Sequence, residues 1–247
     1  MDIVDLSEFY ASRLGSATRR ALTGRLKPML SGLSGAKVAG IGYAMPYLTD
    51  CVPEAEAQFA FMLARQGVFA WPEGAAVRSA LVDECELPLV ESAVDIALVV
   101  HGLEFTDAPE DMLKEIWRVL APQGRLILVV PNRRGVWARF DSSPFGHGQP
   151  FSRPQIAALL REGRFLINSW SHALYFPPST SGAVLSSAGF VETVGRRVMP
   201  AISGVLVVEA VKQVYATTTG KRVRRSMLRG KPALVPLPAR RDAPADP

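Results

Sequence analysis

Two apolar runs in the middle of the chain, residues 93–100 and 125–131, are nearly continuous rather than alternating. That pattern predicts strands covered on both faces of a parallel sheet. Between them Met112, Leu113, Ile116, Trp117, Val119 and Leu120 recur at helical spacing and predict one amphipathic helix. Asp107 and Glu110, spaced as in a capping box, mark its start together with Pro109 in the first turn. Pro122 and Gly124 mark its end. The unit is a strand–helix–strand crossover, which is right-handed by rule.

The rest of the chain continues the alternation. Residues 5–30 put Leu6, Phe9, Tyr10, Leu14, Leu22, Leu26 and Leu30 on the buried face of one or two helices, with Arg19, Arg20 and Arg25 largely outside it. Residues 37–43 predict a strand, 55–66 a helix, 67–71 a second strand and 77–82 a third. Ser152 and Pro154 open a helix over residues 152–160. Residues 165–176 are aromatic-rich without a decisive period. Residues 181–188 predict a short helix stopped by Gly189, and 190–198 with 204–214 a closing antiparallel hairpin. The expected architecture is α/β: an open, mostly parallel Rossmann-like sheet with a C-terminal antiparallel hairpin.

Charge separates the chain into parts. The net charge is +5, but residues 216–247 hold eight basic and two acidic side chains, so the first 215 residues carry −1. This tail is Pro- and Ala-rich and is expected to be disordered. It has no aromatic residue to stack bases, which argues against a nucleic-acid partner. Cys51 and Cys85 form neither a disulfide framework nor a metal-ligand spacing and suit a reducing cytosol. The acidic start MDIVDLSEF does not read as a leader, and no apolar run approaches the ~20 residues of a membrane span. A cytoplasmic protein is expected.

Candidate chemistry falls at strand ends. His101 directly follows the strand over 93–100, and residues in that position of an open α/β sheet face the ligand crevice. It is a candidate for ligand contact or proton transfer. Residues 132–151 form a long loop past the next strand, rich in Gly, Pro, Arg and aromatics. Loops of that length in a compact domain are usually functional. Arg133, Arg134, Trp137, Arg139, Phe145 and His147 are its candidate substrate contacts.

Four spaced segments carry a resemblance: Leu87-Pro88, Val94-Asp95-Ile96, Leu103-Glu104-Phe105 and the run Arg118 to Leu126, RVLAPQGRL. They resemble the LPF…FD…LEH…RVLKPGG pattern of the small-molecule branch of the class I S-adenosylmethionine-dependent methyltransferases. The resemblance implies a Rossmann-like domain over residues 37–215, an N-terminal helical lid over 1–36, S-adenosylmethionine as cofactor and a small-molecule acceptor. It implies that Gly40, Gly42 and Ala44 stand at the glycine-rich cofactor loop, with Ala44 in place of the third glycine and Val38 in place of an acid. It places Trp71 where a ribose-binding acid ends the second strand, free to stack on adenine, and Asp83 and Glu84 at the adenine. Tyr10 of the lid becomes a candidate for cofactor or substrate contact. The missing acids leave an alternative, a non-catalytic relative that binds a ligand or a protein partner.

Overall fold

The computed structural model describes residues 1–214; the tail expected over residues 216–247 lies outside them. The chain opens with two helices, α1 (Ile3–Ala11) and α2 (Arg13–Met29). Asp2 accepts from the Val4 and Asp5 N–H groups, and Asp5 returns the bond to Asp2 N–H, a capping box that fixes the start of α1. Ser12 both ends α1 and caps α2 through Gly15 N–H, so of the one or two helices expected over residues 5–30 the structure has two.

The alternating region follows: β1 (Lys37–Gly42), α3 (Met45–Cys51), β2 (Ala57–Leu63), β3 (Ser79–Val82), β4 (Val94–Val100), α4 (Pro109–Val119), β5 (Leu120–Pro131), α5 (Arg153–Glu162), β6 (Phe165–Ala173), α6 (Gly182–Val198) and β7 (Val205–Lys212). One seven-stranded sheet has the order β3-β2-β1-β4-β5-β7-β6. Its first five strands are parallel, and β7 runs antiparallel to both β5 and β6. The sheet is buried on both sides. Val38, Ile96, Leu98 and Val100 face α1, α2 and α3, whereas Ala97, Val99 and Leu128 face α4 and α5. This is the α/β arrangement expected. Among the described residues no helix is long and apolar enough to cross a membrane.

The structure corrects three element assignments. Residues 55–66 are not a helix; they contain β2. Ala57–Leu63 has helix-favouring residues, but Phe61 and Leu63 point to one side of the sheet and Ala60 and Met62 to the other, a period of two that pairing with β1 and β3 enforces. The helix after β1 is instead α3, with Pro46 in its first turn. Residues 67–71 consequently form no strand. Residues 190–198 also are not a strand, because α6 runs through Gly189 to Val198. Glu192 holds it in place by accepting from the Leu174 and Tyr175 N–H groups. The closing antiparallel pair is real, but its first strand is β6. At α4 the cap is Ala108 without a side-chain bond, since Asp107 turns away to pair with Arg65 at 2.6 Å.

Candidate functional site

The parallel strands end together along one edge, and the site is built there. β1 and β4 are neighbours, and the Tyr43 N–H donates to the Val100 carbonyl at 2.7 Å just past their ends. Gly42, at φ +76, has no room for a Cβ: it would run into the Val100 and His101 carbonyl oxygens. Gly40 is needed for a different contact, since its Cβ would come within 2.8 Å of Ala44 and 2.9 Å of Leu48 on α3. Both glycines of the predicted loop are thus accounted for by contacts within the chain. Ala44 is buried at the head of α3.

His101 follows β4 directly with φ 50, left-handed and unusual for a residue with a side chain. Such outliers concentrate at functional sites. The imidazole is fully buried. Its Nδ1 lies 3.1 Å from Glu104 Oε1, and its Nε2 lies 2.9 Å from the phenol oxygen of Tyr10, which arrives from α1. The Tyr47 hydroxyl, on α3, donates to the Tyr10 oxygen at 3.0 Å. Burial pushes both phenols well above the ordinary tyrosine range, so both are neutral donors. With Glu104 as a carboxylate, one donor order satisfies the chain. Tyr47 donates to Tyr10, Tyr10 donates to Nε2, and Nδ1–H donates to Glu104. Glu104 Oε2 is buried without a hydrogen-bond partner among the described residues.

α1 closes the crevice from above. Its first N–H, on Ile3, donates to the Gln66 carbonyl at 2.7 Å, just beyond β2. The Gln66 amide reaches over to donate to the His101 carbonyl at 2.6 Å. Leu6 is fully buried, and the Tyr10 ring stacks on Tyr43 with centroids 5.2 Å apart. Beside α1 a cleft of about 590 Å³ is lined by Ser7, Arg19, Tyr43, Thr49, Trp71 and Glu73.

The other sequence-derived candidates scatter. Trp71 lies well past the end of β2, which is at Leu63, so it is not at that strand's terminus; it lines the open cleft instead. Asp83 follows β3 as expected but is exposed, and its carboxylate accepts from the Cys85 N–H. Glu84 beside it is half-buried. In the loop over residues 132–151, Trp137 is fully buried and donates to the Phe176 carbonyl at 2.6 Å. Phe145 is buried with its ring 4.6 Å from that of His101. These two aromatics hold the loop down. Arg133, Arg134 and Arg139 face water, and His147 bonds the Asp141 carbonyl. The structure therefore brings Tyr10, His101 and Phe145 together. It adds Glu104, Tyr47 and Gln66, which sequence reasoning had not placed at the site. The three-residue spacing of His101 and Glu104 is the one signal in the sequence that could have found that pair.

Comparison with known proteins decides the family. Residues 39–128 match a family model described as a methyltransferase domain. A demethylmenaquinone methyltransferase of Thermus thermophilus is 30% identical over 172 residues, 68% of this chain and 70% of the relative. The chain belongs to the class I S-adenosylmethionine-dependent methyltransferases. Its reaction is methyl transfer from S-adenosylmethionine to a small molecule. Solved structures repeat the fold. An S-adenosylmethionine-dependent methyltransferase of Thermotoga maritima aligns with TM-score 0.58 at 16% identity, over 85% of this chain and 96% of that one. The [4+2]-cyclase SpnF aligns with TM-score 0.50 at 20% identity, over 77% and 81%.

The described residues offer the cofactor less than the family's pattern implies. Tyr10, Leu6 and Gln66 fill the space over the ends of β1, β2 and β4. No carboxylate stands where the family's two acids would be. Val38 is fully buried in β1, and β2 is followed by Ala64, Arg65 and Gln66. α1 is seated over this end of the crevice, beside the open cleft that Tyr43 and Trp71 line.

Proposed function

We propose that this methyltransferase modifies a hydroxyl group of a small-molecule acceptor, and that the acceptor takes the position now held by the Tyr10 phenol. The observation that carries this reading is the hydroxyl already lodged there, 2.9 Å from His101 Nε2. A neutral imidazole backed by a carboxylate is a competent general base. Glu104 fixes the tautomer that leaves Nε2 free to accept, and it offsets the charge when the acceptor's proton arrives. S-adenosylmethionine supplies the methyl group when bound. The remaining task is alignment and exclusion of water. Phe145, with Trp137 behind it, would wall the acceptor, and Arg134 and His147 would meet its outer parts. Gly42, Ala44, Trp71, Asp83 and Glu84 are the proposed contacts of the cofactor, with Gly40 supporting the loop.

The test is transfer of labelled methyl to a panel of phenols and enols. Turnover of hydroxyl acceptors is expected. His101→Asn should lower kcat by about 10²–10⁴, the usual share of general base catalysis. Glu104→Gln should lower it less, because the amide still accepts from Nδ1–H but no longer offsets the imidazolium charge. Transfer to nitrogen or carbon acceptors with none to any hydroxyl would overturn this reading.

A further inference from the structure

Five large apolar side chains stand in water along one stretch: Phe190, Val194 and Val198 of α6, then Met199 and Ile202. Phe190 is 73% exposed and Val198 68%. Positions 190, 194 and 198 share one helical face, and Arg197 borders it. Glu192, the lone acid of α6, is turned inward to the Leu174 and Tyr175 N–H groups. Along the flank of the same helix a cleft of about 520 Å³ separates α6 from α2, lined by Arg20, Arg25 and Arg196. The Arg25 side chain is 15% exposed, and its Nε has no hydrogen-bond partner among the described residues. Its nearest carboxylate, Glu192, is 3.6 Å away. A guanidinium offers five donors in a fork that suits a phosphate.

We infer that this face docks on an anionic phospholipid bilayer. α6 lies in the interface with Phe190, Val194 and Val198 among the upper acyl chains, and a lipid phosphate enters the arginine cleft. An apolar stripe bordered by cations, with no outward acid, is the composition of an interfacial helix. A second copy fits poorly, because a two-fold contact through α6 would bring Arg197 against its own counterpart. The location also suits the chemistry. Asn132, at the start of the acceptor loop, donates to the Ala201 and Ser203 carbonyls beside this patch. Docking would therefore set that loop near the bilayer surface.

The full chain is sedimented with vesicles of phosphatidylcholine alone and of equal parts phosphatidylcholine and phosphatidylglycerol. Retention is expected on the anionic vesicles only and should weaken with salt. Phe190→Ser with Val198→Ser should lower partition about tenfold, and Arg196→Gln with Arg197→Gln at least tenfold. All four residues are exposed, so the variants should melt with the unaltered protein. A chain ended after residue 215 should keep the dependence on Phe190. Retention that vanishes with the tail and ignores the α6 variants would overturn the proposal. So would complete competition by millimolar glycerol 3-phosphate without dependence on Phe190, which would mark a soluble phosphate site. A concentration-dependent dimer that Phe190→Ser dissolves would overturn it in favour of self-association.

Discussion

At the scale of single residues, the site depends on which polar atoms have partners. Tyr10 Oη sits between the Tyr47 hydroxyl and His101 Nε2, and all three are buried. Tyr10→Phe keeps the ring but strips both neighbours of a partner. A loss of about 1–3 kcal/mol is expected in urea denaturation, because an unpaired buried group costs its desolvation. An unchanged stability would mean that water or another group replaces the bond. Trp137→Ala should cost about 3–5 kcal/mol as a large core truncation, whereas Arg134→Ala in the same loop should stay within about 0.5 kcal/mol. Equal effects of the two would contradict the reading of Trp137 as a pin. Little of this was legible in the sequence. His101 could be singled out from its place after a strand, but Tyr10 is 91 positions away and only the fold brings the two together. Trp137 and Phe145 stand in the sequence as candidate contacts, and only their burial shows that they pin the loop.

At the scale of elements, α1 is the part that decides whether the crevice is open. It is a helix of 9 residues held by the Asp2–Asp5 cap, the bond from Ile3 to Gln66, and the burial of Leu6 and Tyr10. Helices this short are marginal without tertiary contacts. Asp2→Ala removes the cap and should weaken α1 by about 0.5–2 kcal/mol. Hydrogen exchange of the amides in α1 should then quicken, while those of α4 keep their protection. Equal acceleration in both helices would show that α1 unfolds only with the whole domain. The legibility of elements varied with how local their signals are. The crossover β4–α4–β5 could be read directly, since Met112, Leu113 and Ile116 set its face and Pro109 its start. β2 could not, because Ala57–Leu63 is built of residues that favour helices and becomes a strand through its two neighbours. α6 continues through Gly189 because contacts from Glu192 hold it, and those contacts are set by β6.

At the scale of the molecule, the closed state carries its own pH signature and its own test. The folded-state pKa values of Tyr10 and Tyr47 are raised by burial, and that of Cys51 is raised to about 11. Each group binds its proton more tightly folded than unfolded. Its contribution is therefore fully present below the unfolded value, near 10 for tyrosine and 9 for cysteine, and is lost as pH rises through the folded value. The melting temperature should stay level from neutral pH to about pH 9 and fall steeply above it, and Tyr10→Phe with Tyr47→Phe should flatten that fall. An alkaline limb that the double variant leaves unchanged would assign the loss to other groups. The central claim is that α1, anchored by Tyr10 in the acceptor's position, is seated over the crevice and has to loosen before S-adenosylmethionine can enter beside it. A ligand that binds only the open state pays for the opening in apparent affinity, so loosening the closed state must tighten binding. The direct measurement is calorimetric titration of S-adenosylmethionine into the unaltered protein and into Tyr10→Ala. The account predicts that the variant, still folded, binds at least about tenfold more tightly, a gain of roughly 1.4 kcal/mol. Submicromolar affinity in the unaltered protein that Tyr10→Ala leaves the same or weakens would contradict it.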